Sequence, residues 1–167
     1  PLVEKKQNPR FAPNDLYFDD QWHLQNTGQT NGVSGEDANV TGAWDNYTGT
    51  GVVISVVDDG LDHAHADLSP HYSPHFSYDW CNDDDDPSPT SWNGHGTAVA
   101  GVAAAVGDNS LDVTGIAYDA TIAGSTLIAC WAGDSVEAEA LSYESDEIDI
   151  YTNSWGPVDD GQTLLGP

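Results

Sequence analysis

Three short apolar runs, separated by turn-forming residues and longer mixed segments, dominate the pattern of the chain. Residues 52–57 (VVISVV) form a nearly continuous apolar run, which is typical of a strand buried on both faces. Residues 121–125 and 148–153 are two further predicted strands. An alanine-rich segment at 98–106 and a segment at 135–143 predict helices. Strands that alternate with helices favour an α/β fold with a mostly parallel sheet between helices.

The segments between these elements complete the organisation of the chain. Residues 1–14 are predicted to be a linker or propeptide-junction segment, because they are rich in proline and mixed in charge without periodicity. A short helix is expected at 40–44. Residues 69–93 combine Pro, Ser, Asp and Trp without a periodic pattern, which predicts a long functional or ion-bound loop. Residues 15–167 are therefore assigned to one folded unit.

Two side chains with catalytic potential lie at the ends of these elements. Asp58 ends the first apolar run, so its carboxylate is expected at the carboxyl end of a parallel strand, where α/β sheets usually carry their chemistry. His95 follows 37 positions later, in the turn NGHGT that opens the predicted helix. A histidine can act as a general base while a carboxylate holds its ring in the required tautomer. The two residues are therefore candidates for one catalytic site.

Three stretches in this order resemble the first half of a subtilisin-like serine protease catalytic domain. They are VDDG at 57–60, NGHGT at 93–97 and NSWGP at 153–157. The resemblance covers about residues 13–167. It implies a subtilisin-like three-layer fold, incomplete in this chain, and a catalytic triad in the chain order Asp, His, Ser.

The resemblance also implies roles for individual residues. Asp58 orients the imidazole, and His95 is the general base. The edge formed by Ser154, Trp155 and Gly156 pairs with an extended peptide substrate by β-augmentation. No serine of the chain lies in the Gly-Thr-Ser-x-Ala type of turn that holds the family's nucleophile. The family also uses an asparagine side chain to form part of its oxyanion hole. The nucleophilic serine and this oxyanion asparagine are therefore expected from sequence outside these 167 residues.

Details of the motifs are similar to the kexin and furin branch or its bacterial relatives. Within that branch, Asp59, Glu137 and Asp159 imply acidic pockets that bind basic substrate side chains, since a partly dry carboxylate discriminates for Arg or Lys. Three positions where the branch has further acids depart from its pattern: Trp92, Ala129 and Leu165. A loose preference for one basic residue before the cut is therefore expected rather than strict dibasic specificity.

The resemblance implies calcium as the cofactor. The first site would use the side chains of Asp15, Asp67 and Asn109 and the backbone carbonyls of Gly107, Leu111 and Val113. Carboxylates and carbonyls gathered in an irregular loop suit a hard, oxygen-seeking ion. Bound calcium would also pin the amino-terminal arm to the domain.

A second calcium site is suggested by the acidic part of the 69–93 loop. It would draw on Asp79 and on the aspartate run at 83–86, with Asp86 as one ligand. The alternative is a solvated acidic loop without a bound ion. Two cysteines, Cys81 and Cys130, allow one disulfide or none.

Charge restricts the partners of the protein. The chain has 28 acidic residues against three basic ones and a net charge of −25, and Arg10 is its last lysine or arginine. Such a surface repels nucleic acid and anionic membranes, so cations and basic peptides are the expected partners. Two explanations stay open: adaptation to salty surroundings, or a protease that has lost the sites at which it would digest itself. The second predicts propeptide cleavage near Arg10.

These features predict an extracellular, calcium-dependent serine endopeptidase acting on peptide or protein substrates. The 167-residue chain by itself is predicted to be inactive, because the remainder of the catalytic domain must provide the nucleophile. The alternatives are a non-catalytic peptide-binding module on a truncated fold, or an acidic calcium-binding protein whose Asp58 and His95 are relics.

Overall fold

The computed structural model describes residues 12–156, so most of the predicted linker, the proposed cleavage position at Arg10, and Leu165 lie outside the described residues. A four-stranded parallel sheet forms the centre, in the order β2-β3-β1-β4. Its elements are β1 (Val53–Asp58), β2 (Tyr78–Asp79), α1 (His95–Ala104), β3 (Thr121–Thr126), α2 (Asp134–Ala140) and β4 (Ile150–Thr152). The predicted α/β architecture is confirmed. Within the described residues, no helix is long and apolar enough to cross a membrane.

Strand β1 lies inside the sheet because both of its edges are paired. It runs parallel to β3 from Val53 opposite Thr121 to Asp58 opposite Thr126. On its other edge, Ile54 lies opposite Ile150 of β4. All parallel strands end on the same side, so Asp58 lies at the carboxyl edge of the sheet.

Helices cover the two faces of the sheet. Ile54 and Val56 of β1 pack in one core cluster with Ala100 and Ala104 of α1. Val57, whose side chain alternates to the other face, packs with Leu127 and with Ala140 of α2. The small alanine side chains of α1 allow its backbone to approach the sheet closely. This arrangement of helix, sheet and helix is the expected three-layer order.

The amino-terminal segment docks on the domain through a separate cluster and a pair of backbone hydrogen bonds. Phe18, Leu24 and Trp44 form a buried aromatic and aliphatic cluster with Tyr118. The Leu16 N–H donates to the Leu111 carbonyl, and the next residue along each segment makes an equivalent bond, both at 2.8 Å. The arm is thereby fixed to the loop that follows α1.

Apart from shifts at the ends of β3, α2 and β4, the structure differs from the sequence-based expectation in three local features. Helix α1 begins at His95 rather than at residue 98, and it ends at Ala104. The predicted helix at 40–44 is a single 3₁₀ turn, Val40–Gly42. The 69–93 loop contains two 3₁₀ turns and strand β2, whose two residues pair with β3. The start of α1 and strand β2 depend on partners distant in sequence, which local periodicity does not contain.

Candidate active site

The carboxyl end of β1 places Asp58 in the interior of the domain. Its side chain is 1% exposed, and β1 is flanked on both sides by other strands. The apolar run that precedes it fixes this position, because a strand covered on both faces needs apolar side chains at nearly every position up to its end.

His95 is the first residue of α1, and its ring faces Asp58. The His95 Nδ1 lies 2.8 Å from Asp58 Oδ1 and 3.0 Å from Oδ2. The histidine side chain is 54% exposed, whereas its carboxylate partner is buried. Because Nδ1 is occupied by the carboxylate, Nε2 is the ring nitrogen that remains for proton exchange with a reacting group. The structure thus brings together the two residues predicted as catalytic.

The charge of this pair affects the protonation of the imidazole. The hydrogen bond that His95 Nδ1–H donates to Asp58 and the negative charge of that carboxylate raise the pKa of His95 above 6.5, while partial desolvation lowers it and the charge of Asp59 adds a smaller upward effect. A protonated imidazole is therefore stabilised beside the buried carboxylate, which is the form that a general base reaches during the reaction.

Asp59 contacts the first turn of α1. Its Oδ1 accepts the Gly96 N–H at 2.7 Å, and its Oδ2 accepts the His95 N–H at 3.2 Å. Asp59 is half-buried, and it also lines a cavity of about 160 Å³ that Cys130 borders. The residue predicted to face substrate is thus within reach of a cavity and also bound to the backbone that carries the imidazole.

The end of β1 and the start of α1 approach each other at two glycines. A side chain at Gly96 would collide with the Gly60 carbonyl and would lie 2.8 Å from the Asp58 Cβ. Gly60 itself has a φ of +132° and lies against Pro89. Glycine is required at both positions, at Gly96 for the close approach and at Gly60 also for its left-handed backbone.

The predicted substrate edge follows β4. Ser154 and Gly156 are exposed, and Trp155 is half-buried with its indole N–H donating to the Val57 carbonyl at 2.8 Å. Ser154 and His95 line one open cavity of about 410 Å³ with apolar residues of α1. The Trp155 anchor therefore holds the predicted edge next to the imidazole.

Glu137 lies on α2, beyond this edge. It lines a cavity of about 190 Å³ with Trp131 and Trp155, and Cys130 forms part of the wall. Cys130 therefore borders both the Asp59 cavity and the Glu137 cavity. Asp159, the third predicted acidic substrate-binding residue, lies outside the described residues.

Cys81 and Cys130 form a disulfide, which decides the question that the sequence left open. It joins the acidic loop that contains β2 to the loop that leaves β3. The even cysteine count was the only signal in the sequence, because the two residues are 49 positions apart. The cross-link fixes one wall of the cavities described above.

The ligands predicted for the first calcium site lie close together. Asp15 and Asp67 are both buried. The Asp15 carboxylate accepts the backbone N–H of Asn109 at 3.3 Å, and the Asp67 carboxylate accepts the side-chain amide of Asn109 at 2.7 Å. Val113 donates its N–H to Asp67, and Leu111 accepts a backbone bond from the arm. These buried carboxylate oxygens fit the chemistry of a hard cation, because the described chain has no lysine or arginine to neutralise them.

The backbone of Gly107 belongs to the same loop and packs closely against Tyr118. Among residues 12–156, no three His, Cys, Asp or Glu side chains are grouped as a potential metal site. A calcium ion at Asp15 and Asp67 would therefore depend on amide and backbone carbonyl oxygens for the rest of its ligands.

The two aspartates predicted for the second calcium site have different surroundings. Asp79 is buried, and its carboxylate accepts N–H groups of Cys81 and Asn82. Asp86 is largely exposed, and hydrogen bonds from Ser88 lower the pKa of its carboxyl. Asp79 is thus engaged within its own loop, whereas Asp86 also lies 3.2 Å from His63 Nε2 outside that loop.

Comparison with known proteins places these features in a family. Residues 49–166 match the model of the subtilase family. The chain is 48% identical over 159 residues to the PC3-like endoprotease variant B of Hydra vulgaris, covering 93% of this chain and 22% of that protein. It is 42% identical over 160 residues to human neuroendocrine convertase 2, covering 92% of this chain and 25% of that protein. The chain thus spans about a quarter or less of the length of these curated relatives.

A solved structure shows the same fold. The serine protease of Aeromonas sobria superposes with a TM-score of 0.80 at 31% identity, covering 95% of this chain and 30% of that protein. The subtilisin-like three-layer architecture predicted from the motifs is therefore confirmed for the part of the chain that the structure describes.

Proposed function

The chain belongs to the subtilase family of serine proteases, and we propose that it is the amino-terminal part of a calcium-dependent endopeptidase with an Asp-His-Ser triad. One observation carries this proposal. The buried Asp58 carboxylate meets His95 Nδ1 at 2.8 Å, at the carboxyl edge of a parallel sheet. The similarity to an endoprotease and to a convertase supports the same reaction class.

In the proposed mechanism the two residues divide the work of proton transfer. Asp58 accepts the Nδ1–H and holds the imidazole so that Nε2 is directed to the reacting group. His95 takes the proton of a serine hydroxyl as that oxygen attacks the substrate carbonyl, and then returns the proton to the departing amine. The serine and the oxyanion asparagine come from sequence outside these 167 residues, so the isolated chain is inactive.

The substrate is an extended peptide that pairs with Ser154, Trp155 and Gly156. The exposed ends of this segment leave backbone groups accessible for β-augmentation, while Trp155 is anchored to β1. Glu137 lines a cavity that Trp155 of this edge also borders, and Asp59 lines a second cavity that shares Cys130 with it; these acidic cavities support a preference for basic side chains before the cut. Asp159 is proposed as a third contributor on family resemblance.

Calcium is proposed to stabilise the fold rather than to take part in the reaction. Asp15, Asp67 and Asn109 would hold it, with carbonyls of the loop that follows α1. The ion would neutralise two buried carboxylates and fix the arm to the domain. A second ion at Asp79 and Asp86 would require rearrangement of their present hydrogen bonds.

The acidic surface and the disulfide support an extracellular location. A disulfide persists in oxidising surroundings, and high salt screens the repulsion among carboxylates that no basic residue offsets after Arg10. Adaptation to salty surroundings is therefore proposed together with secretion.

Labelling with a serine-directed fluorophosphonate tests the proposal. The full-length protein is expected to be labelled, the 167-residue chain to remain unlabelled, and His95→Ala in the full-length protein to abolish labelling. His75→Ala is the matched control, since His75 is exposed and contacts Phe76 rather than the site. Unlabelled full-length protein, or equal labelling of the two histidine variants, would contradict the assignment.

A further inference from the structure

Helix α1 begins without a capping side chain of its own. The first N–H groups of a helix have no partner within the helix and need acceptors from elsewhere. The residue before His95 is Gly94, which has no side chain to accept them. The acceptors must therefore come from another part of the fold.

Asp59, directly after β1, provides acceptors for two of these N–H groups, those of His95 and Gly96. One carboxylate oxygen binds the Gly96 N–H at 2.7 Å, and the other binds the His95 N–H at 3.2 Å. The backbone N–H of Asp59 donates to Asp58 Oδ1 at 2.8 Å. A single residue is thus bonded to the catalytic carboxylate and to the backbone of the catalytic histidine.

A third contact holds Asp59 from the preceding turn. The side-chain amide of Asn93 donates to the Asp59 carbonyl at 3.3 Å. The turn that carries His95 is therefore tied to the strand end on both sides of the imidazole. A negative charge at this position also interacts favourably with the positive end of the helix dipole.

We propose that Asp59 is a positioning residue, whose carboxylate clamps the start of α1 to the end of β1 and fixes His95 relative to Asp58 before substrate binds. This inference rests on the proposed protease function. A positioning role differs from a role limited to binding basic substrate side chains, because both oxygens of Asp59 already accept backbone N–H groups in the free protein. A substrate cation could share these oxygens, but the clamp does not depend on it.

The two roles predict different kinetics for Asp59 variants of the full-length protein. The substrates would be a pair of peptides that differ only in having lysine or norleucine two residues before the cut. Positioning predicts that Asp59→Ala lowers kcat by about 10- to 100-fold on both peptides, with little change in KM, because a misplacement near 1 Å costs about 100-fold. Asp59→Asn, which keeps one acceptor oxygen, should lose less on both.

A spectroscopic measurement separates this inference from the activity itself. In full-length protein with ¹⁵N-labelled histidine, the proton between His95 Nδ1 and Asp58 should be observed in the wild type and lost or broadened in Asp59→Ala. The matched control is Asp62→Ala, which removes an acid of the same loop; among residues 12–156 its carboxylate accepts only the Ala64 N–H. The control should keep the wild-type resonance and kcat.

The inference is overturned if Asp59→Ala affects only the lysine peptide through KM, or if its Nδ1 proton matches the wild type. A wild-type protein without turnover would refute the proposed function, while the resonance would still decide the role of Asp59. Thermal unfolding of each variant shows whether a loss reflects failure to fold, and the isosteric Asp59→Asn variant then provides the comparison.

Discussion

Replacement of Gly96 by alanine would test whether the close approach of α1 to β1 holds Asp58 and His95 together. Gly96 is buried directly after His95, with both Asp58 and the Gly60 carbonyl against its Cα. An alanine Cβ would lie 2.8 Å from Asp58 Cβ and 3.3 Å from Asp58 Cγ. Neither neighbour can move freely, because Asp58 is part of strand β1 inside the sheet and the Gly60 carbonyl is a main-chain group.

The size of the effect follows from these distances. Carbon atoms in contact normally lie about 3.5–4.0 Å apart, so the start of α1 must move by roughly 0.7–1.2 Å. Overpacking of this kind costs about 1–3 kcal/mol of stability. A displacement near 1 Å between catalytic groups lowers the rate by about 100-fold. Gly96→Ala is therefore expected to lower both the unfolding temperature and kcat of the full-length protein.

Gly101→Ala provides a control in the same helix. Its added Cβ would have only Val113 Cγ2 nearby, at 4.0 Å. Replacement of glycine by alanine inside a helix stabilises by up to about 1 kcal/mol, so this variant should keep its activity and unfold at the same or a higher temperature. Thermal unfolding and peptide hydrolysis of the two variants measure the difference. Equal behaviour of Gly96→Ala and Gly101→Ala would refute the argument from close packing.

Three further measurements test other parts of the structure. Removal of the disulfide by the double change Cys81→Ser and Cys130→Ser should lower the free energy of unfolding by about 4 kcal/mol, from the closure entropy of a loop whose ends are 49 positions apart in sequence. A change below about 1 kcal/mol in urea titration would contradict this. Chelation of calcium should lower the unfolding midpoint of the wild type, by an amount equivalent to about 2.7 kcal/mol if the ion was present at 100 times its Kd. It should have little effect on the Asp67→Asn variant. Equal sensitivity of the two proteins would count against the first calcium site. Because Asp58 raises the pKa of His95, the acid limb of kcat/KM should lie above pH 6.5, and the stabilisation from the protonated pair should be present below pH 6.5 and fade as pH rises through the folded-state pKa. An acid limb at or below pH 6.5 would show that Asp58 does not act in this way.

Local patterns were sufficient for the elements that bury a continuous apolar surface. The run at 52–57 predicted β1 to within a residue, because a strand covered on both faces needs apolar side chains at nearly every position. The predicted strand at 121–125 and the predicted helix at 135–143 match β3 and α2 apart from their ends. Strand β2 was not predicted, since its two residues are held in place by β3 rather than by their own sequence.

The proximity of Asp58 and His95 was predictable for a similar reason. A strand end and a glycine-flanked helix start determine where Asp58 and His95 can lie, and the family resemblance gave their relation. The buried ligands predicted for calcium also lie together, although sequence gave no account of how Asn109 connects Asp15 and Asp67.

Local patterns and short motifs were enough to predict the α/β class, the order of the main strands and helices along the chain, the acidic surface and the two candidate catalytic residues. Contacts between distant segments were needed to establish that Cys81 and Cys130 are bonded, that α1 starts at His95, and that Asp59 caps it. Each of these depends on groups 36 or more positions apart. Their proximity arises when parallel strands bring their carboxyl ends to one edge, which no local sequence pattern records.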